Sequence, residues 1–179
     1  MKYRLLILFS FLFISLTASE CKKHRPPGNP MDQLPPETQT GANTFGCLVN
    51  GKVWLSKGYN GTSNLSLSYD PTFNKGTFDL RSYRYPDNST RVQYVILSSD
   101  SLSATGIYPV KDIHQDVQFS DSNTCQYYSF DSTVHRTGAI TITKFDLMKG
   151  IISGTFQFNL SKTGCDSIKV TGGRFDMKL

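Results

Sequence analysis

The range from Thr44 to Leu179 contains no glutamate and only two alanines, Ala104 and Ala139, and all eleven of its acidic residues are aspartates. Glutamate and alanine favour helices, whereas aspartate favours turns and helix ends. The same range is rich in threonine, tyrosine, phenylalanine, isoleucine and valine, which suit pleated sheets. This composition predicts an all-β domain with little or no helix.

Turn residues and alternating apolar residues divide this range into about nine short strands. Asn50-Gly51 lies between the apolar runs TFGCLV and KVWLS, and it predicts a two-residue hairpin because both turn positions need a positive φ. Within 151–160, apolar residues alternate with polar ones, as in a strand with one buried face. This spacing of strands and turns favours an antiparallel β-sandwich or barrel.

Two positions predict irregularities in the strands. The apolar phase shifts near Ser82 and again at Gly172-Gly173, so we expect a β-bulge at each. The range 100–123 is interpreted mainly as loop, with a short edge strand near 107–110. The range 126–130 is interpreted as a further strand, which would open a plain meander through the strands that follow.

Residues 1–20 have the order of an export signal. Lys2 and Arg4 precede an apolar stretch from Leu5 to Leu16, and small residues follow it. Twelve residues of helix rise ~18 Å, which is short of the ~30 Å hydrocarbon core of a bilayer. The stretch therefore predicts a signal peptide rather than a membrane span.

Cys21 follows this signal directly, and two cleavage sites compete. Lipoprotein signal peptidase would cut before Cys21, whose thiol would then carry diacylglycerol and, with further acylation such as palmitate, anchor the chain to a membrane. Signal peptidase I would cut after Ala18 or Ser19 and release a soluble secreted protein. Glu20 departs from the small residue that lipoprotein processing prefers. We expect the anchored form, at the cell envelope and on the periplasmic or surface side of an outer membrane.

The range 22–43 contains five prolines and few apolar residues, which is typical of a semi-rigid, solvated tether of up to ~70 Å. The predicted organisation is a signal peptide at 1–20, a lipid-anchored linker at 21–43 and one all-β domain at 44–179. Removing residues 1–20 leaves 17 basic and 13 acidic side chains, a net charge of +4. No basic run interleaved with aromatic residues predicts a nucleic-acid partner.

Three further cysteines, Cys47, Cys125 and Cys165, would lie in an oxidising compartment, so we expect one disulfide and one remaining thiol. All three pairings are open. A plain meander from residue 125 onward would place Cys125 and Cys165 at opposite ends, which makes their pairing the least favoured. No Cys-x-x-Cys spacing suggests a metal site, and no cofactor is expected.

No serine-hydrolase elbow, zinc-protease helix, phosphate-binding loop or dinucleotide motif occurs, so no catalytic residue is assigned. The nearest alternative is a hydrolase site in the 100–123 range, around His114, Asp112 and Asp116. Some aromatic residues could form a face that binds a glycan or peptide, although most would serve as packing residues. These residues are Trp54, Tyr83, Tyr85, Tyr127 and Tyr128.

The runs at 34–54 (LPPETQTGANTFGCLVNGKVW), 142–158 (ITKFDLMKGIISGTFQF) and 165–179 (CDSIKVTGGRFDMKL) resemble small Bacteroidota-type lipoproteins. The resemblance extends over nearly the whole exported chain, and its ending is the most specific part. It implies an exported, membrane-anchored all-β protein. It carries over no catalytic residue, because no activity is assigned to that group.

Together these patterns predict a non-enzymatic β-domain that binds a protein partner, glycan or small ligand at the cell envelope. An alternative is a lipocalin-like carrier with an apolar internal cavity. Lipocalins carry Gly-x-Trp near their first strand, whereas here two residues separate Gly51 from Trp54. The hydrolase around His114 is the third hypothesis.

Overall fold

A computed structural model describes residues 28–86, 90–111, 114–129 and 131–179. The predicted signal peptide and Cys21 lie outside the described residues. The elements are, in chain order, a 3-10 helix at Pro30–Gln33 and strands β1 (Thr44–Val49), β2 (Lys52–Leu55), β3 (Leu65–Asp70), β4 (Thr77–Arg84), β5 (Gln93–Ser99), β6 (Gly106–Pro109), β7 (Gln115–Asp121), β8 (His135–Asp146), β9 (Ile151–Ser161) and β10 (Ile168–Lys178).

The strands form two antiparallel sheets. The first has six strands in the order β2-β1-β10-β9-β8-β6, and the second has four in the order β3-β4-β5-β7. One hydrophobic core joins both sheets; for example, the rings of Phe78 on β4 and Phe175 on β10 lie 5.9 Å apart. The predicted all-β class is confirmed, and the architecture is a sandwich.

The space between the sheets is filled by large side chains. Trp54, Phe78 and Leu80 are completely buried. Phe45 stacks on Phe156 at 5.2 Å and meets the edge of Trp54 at 5.7 Å. Gly154 makes room for this packing, because a Cβ there would lie 2.2 Å from the Thr141 carbonyl oxygen. The interior is therefore close-packed, as expected for a well-ordered domain.

Two predicted backbone features are confirmed. Asn50 and Gly51 have φ values of 49° and 77° and join β1 to β2 as a hairpin. The β10 register shifts between Val170 and Gly173 against β9, where Gly172 has a φ of 59°. This bulge lets β10 change which side chains face the core.

The bulge predicted near Ser82 is wrong. β4 pairs without a register shift on both of its sides, and Ser82 points inward in phase with Phe78 and Leu80. Tyr83 is buried on the opposite face because the 57–64 loop covers it; its hydroxyl lies 2.8 Å from Asn60 Oδ1. The shift in apolar phase therefore records a loop lying on the outer face and not an extra residue in the strand.

The predictions for 100–130 were partly wrong. The short edge strand is present as β6, but β7 was predicted as loop because glutamines and aspartates occupy four of its seven positions. The range 126–130 contains no strand among its described residues and makes an isolated bridge from Tyr127 to Phe119. The meander therefore begins at β8.

The disulfide joins Cys125 and Cys165, whose Cα atoms are 5.9 Å apart. The prediction that disfavoured this pair was wrong because it placed Cys125 on a strand of the meander. Cys125 instead lies in the loop after β7, which crosses one end of the sandwich and reaches the β9–β10 turn. Cys47 is free and buried, and its burial raises the pKa of its thiol to about 12.

The range 30–43 is a strap that packs on the six-stranded sheet, so the predicted solvated tether is corrected there. Leu34 is buried, and a Cβ on Gly46 of β1 would lie 2.7 Å from Pro35 Cδ, which shows how closely the strap approaches the strand. The Arg174 guanidinium donates a hydrogen bond to the Pro35 carbonyl oxygen.

Asp176 of β10 fixes the strap. Its carboxylate is 1% exposed and accepts hydrogen bonds from Thr38 Oγ1, from the backbone N–H groups of Thr40, Gly41 and Ala42, and from Ser153 Oγ of β9. Burial opposes ionisation, but these donors outweigh it and hold the pKa of Asp176 well below its usual range.

We predict that Asp176→Asn lowers the free energy of unfolding by about 3 kcal/mol at pH 7, because a side-chain N–H₂ group would face backbone donors. A depressed folded-state pKa stabilises the protein above the unfolded-state pKa of ~3.9 and is lost as the pH falls below it. Urea unfolding of both proteins should therefore show their difference shrinking below about pH 4.

Asp79→Asn is the matched control, because Asp79 pairs with Arg81 at the surface and should contribute less than about 1 kcal/mol. Hydrogen exchange should report faster exchange at the amides of Thr40, Gly41 and Ala42 in Asp176→Asn alone. Unchanged exchange there would contradict the role given to Asp176.

We also predict that Cys125→Ser with Cys165→Ser lowers the free energy of unfolding by about 4 kcal/mol, because the bond closes a loop with a sequence separation of 40. Urea unfolding measures the loss. Reductant should destabilise the natural protein by a similar amount and leave the double variant unchanged. In a Cys47→Ala control the reductant should retain its effect; an insensitive control would assign the disulfide to another pair.

Candidate functional site

A side groove lies between the strap, the β1–β2 edge of the six-stranded sheet and β3 of the four-stranded sheet. Its volume is about 790 Å³. The groove is lined by Gln33, Leu34, Pro35, Asn43, Thr44, Phe45, Leu55, Ser56, Ser63, Asn64, Leu65, Ser66, Leu67, Met177 and Lys178. Such a concave surface, apolar with a few polar groups, is typical of a ligand site.

Local sequence explains each wall of the groove. Pro35 and Leu55 can both approach Gly46, because a Cβ there would lie within 2.8 Å of each side chain. On β3, Leu65 and Leu67 point towards the core and are only partly buried, so they form the opposite wall. The walls therefore offer aliphatic carbon, with serine and asparagine side chains between.

β3 is also the edge of its sheet, which leaves one side of its backbone unpaired. Tyr83 N–H donates to the Asn64 carbonyl oxygen at 3.0 Å, which fixes the alternation of the antiparallel ladder. Ser66 and Ser68 therefore direct their backbone groups to β4. Leu67 and Tyr69 direct theirs outward, and within the described residues these groups have no hydrogen-bond partner.

The electrostatics of the groove are simple. Lys178 is its only charged lining residue, and it has no ion-pair partner among the described residues. The nearby Asp176 carboxylate is buried and turned to the strap. The groove thus presents an uncharged floor with one positive charge at its rim.

A second concavity, the end cleft, lies at the end of the sandwich beside the disulfide and has a volume of about 630 Å³. Gln93 lies at its centre, where its Oε1 accepts from Trp54 Nε1 at 3.2 Å and from Arg84 Nε at 2.7 Å. Gln93 Nε2 donates to Asp121 Oδ2 at 2.6 Å, and Arg91 binds the same carboxylate with two nitrogens.

The network in the end cleft is largely satisfied by the protein itself. Burial raises the pKa of Asp121, but hydrogen bonds from Arg91, Gln93 and Asn123 outweigh it and hold the pKa below its usual value. Arg84 also lies 5.4 Å from the centroid of the Trp54 ring. Since these groups bind one another across the two sheets, we interpret the end cleft as a structural seal.

The five aromatic residues predicted as a binding face do not come together. Trp54 and Tyr127 are buried near the end cleft, whereas Tyr83 and Tyr85 meet edge to face at 5.9 Å on the outer face of the four-stranded sheet. Tyr128 lies apart, 38% exposed. Packing explains Trp54, Tyr127 and Tyr83, as the sequence analysis gave for most of the set.

The residues of the hydrolase hypothesis separate into two pairs. His114 Nδ1 lies 2.6 Å from Asp100 Oδ1 at the surface, and Asp116 forms an ion pair with Arg136. Arg136 also donates to the carbonyl oxygens of Val134 and Tyr128, so it holds a loop. Burial raises the pKa of Asp116. Asp112 lies outside the described residues.

Within the described ranges, no group of three or more histidine, cysteine, aspartate or glutamate residues could hold a metal ion. The same residues include no helix long and apolar enough to cross a membrane. The side groove itself was not predicted. Its signal in the sequence was the alternation of leucine with serine at 65–68, which identified a half-buried strand but not its position at an edge.

A family model described as a domain of unknown function (DUF6252) matches residues 42–177. Comparisons with curated proteins and with solved structures found no match. The matched range extends over both sheets, from β1 into β10, and includes Asp176 and the β3 wall of the groove. The chain belongs to the DUF6252 family.

Proposed function

We propose that the protein is a cell-envelope lipoprotein whose β-sandwich is a non-enzymatic binding domain, and that the side groove is its binding site. The observation that carries this proposal is the combination of a partly apolar groove with an unpaired strand edge on one side of a packed sandwich. The interior is filled by core side chains, which favours a surface site over an internal carrier cavity. The separation of His114 from Asp116 into different pairs favours binding over hydrolysis.

The strap sets how far an anchored domain could stand from a membrane. Asp176 holds residues 38–42, and the 3-10 helix begins at Pro30. Eight residues, 22–29, then separate Cys21 from the strap. They can span at most about 28 Å, less than half of the ~70 Å that a wholly extended linker would allow. The proposed anchor would therefore hold the groove close to the membrane surface.

We predict that the exported chain in its native host begins at Cys21 and carries diacylglycerol on that thiol. Mass spectrometry of the N-terminal peptide tests this, and the protein should fractionate with membranes. Cys21→Ala should release it into the soluble fraction. An N-terminus at Ser19 or Glu20 would instead identify a secreted protein and contradict the anchor, without bearing on the groove.

We predict that a photoreactive amino acid replacing Leu55, on the groove wall, forms a crosslink to a protein, glycan or small ligand when the full chain is illuminated in its host. The matched control is the same replacement at Ile107, an exposed apolar residue on β6 at the far edge of the six-stranded sheet. Mass spectrometry identifies the adduct. Equal labelling from both positions, or from neither, would contradict a groove-specific binding function.

A further inference from the structure

We propose that β3 accepts an extended segment of a partner protein as an added strand. The segment would place its inward side chains in the side groove and a carboxylate against Lys178. This inference rests on the proposed binding function and names the class of partner. Strand addition draws affinity from main-chain hydrogen bonds and specificity from pockets that receive alternate side chains.

The backbone of β3 is arranged for this pairing. The N–H and C=O groups of Leu67 and Tyr69 point away from β4, and they have no hydrogen-bond partner among the described residues. The outward groups of Leu65 are already used, because Ser63 Oγ donates to its carbonyl oxygen at 2.6 Å and accepts from its N–H at 3.4 Å. The free edge therefore begins at Leu67.

The other three sheet edges are protected in ways that β3 is not. β2 and β6 have four residues each, β2 begins with Lys52 and β6 ends with Pro109. β7 is bridged by Tyr127, and the Gln126 side chain donates to the Asp121 carbonyl oxygen. Short length, lysine, proline and covering loops are the common ways to block an edge. β3 has six residues, none of them proline or lysine, and pairs with β4 in unbroken register.

The charge of the groove indicates what the segment carries. No acidic residue lines the groove, and Lys178 is its only charged lining residue. Inward side chains of the segment would therefore be apolar or uncharged, to match Phe45, Leu55 and Leu67. A carboxylate, from an acidic side chain or a chain terminus, would pair with Lys178 at the rim.

The ladder alternation supplies a matched pair of variants. Leu67→Pro removes an outward N–H and leaves the β3–β4 ladder intact, since proline is tolerated where an edge N–H faces solvent. Ser68→Pro removes an N–H directed to Asp79 of β4, so it should destabilise the sheet. Lys178→Glu reverses the charge at an exposed position and provides a second test that does not depend on the backbone of β3.

The experiment probes the full chain, in detergent, against synthetic nine-residue peptides that tile the envelope proteins of its host. We expect a set of bound peptides that alternate apolar and polar residues and carry a carboxylate. Leu67→Pro should weaken their binding about fivefold to tenfold, and Lys178→Glu should weaken it as well. On binding, hydrogen exchange at the Leu67 and Tyr69 amides should slow by about tenfold or more.

Each contrary result has a defined meaning. Failure to bind any peptide, or binding that Leu67→Pro and Lys178→Glu both leave unchanged, overturns strand addition. Protection of Leu67 in a dimer without peptide would assign the edge to a second copy of the chain and also overturns it. If a glycan or small ligand crosslinks at Leu55 while the peptides fail, the binding function stands and only this inference falls.

Discussion

The buried carboxylate of Asp176 is the interaction on which the arrangement of this domain depends. Removing a carboxylate from water costs several kcal/mol, and here five protein groups besides Thr40 Oγ1 offset that cost by donating to the two oxygens. Four of the residues involved belong to the strap and one to β9, so a single side chain joins the chain before β1 to two strands of the larger sheet. Leu34 and Pro35, which form one wall of the side groove, are held in place through the same residues. The groove exists because the strap is fixed.

The opposite end of the sandwich is closed by different chemistry. There the disulfide ties the loop after β7 to the β9–β10 turn, and the Gln93 network joins the four-stranded sheet to Trp54 of β2. Both devices connect the two sheets, and both use polar or covalent bonds where the apolar core ends. The side between β3 and the strap has no such connection across it. Closing one end and strapping one sheet while leaving this side open concentrates the accessible apolar surface in one place.

Sequence reasoning succeeded where the determinant was local. The absence of glutamate excluded helices, Asn50-Gly51 fixed a hairpin, and the glycine pair in β10 identified a bulge, since each depends on the backbone preferences of the residues themselves. It failed where a distant segment supplied the cause. The burial of Tyr83 comes from the 57–64 loop, and the disulfide depends on where β7 lies in the sheet order. The groove and the free edge of β3 are properties of topology, which alternation within a single strand does not encode.

An open edge of six residues is costly for a protein that gains nothing from it. Free backbone groups beside apolar surface invite pairing with any extended chain, and sandwiches usually block such edges with charge, proline or a covering segment. This chain blocks three edges in those ways, and its strap lies within reach of the fourth without pairing to it. Residues 38–42 are bound to Asp176 and so cannot move onto β3 while that carboxylate stays ionised. The same interaction that stabilises the fold thus keeps the strap from filling the groove, which is the arrangement expected if the edge is reserved for another molecule.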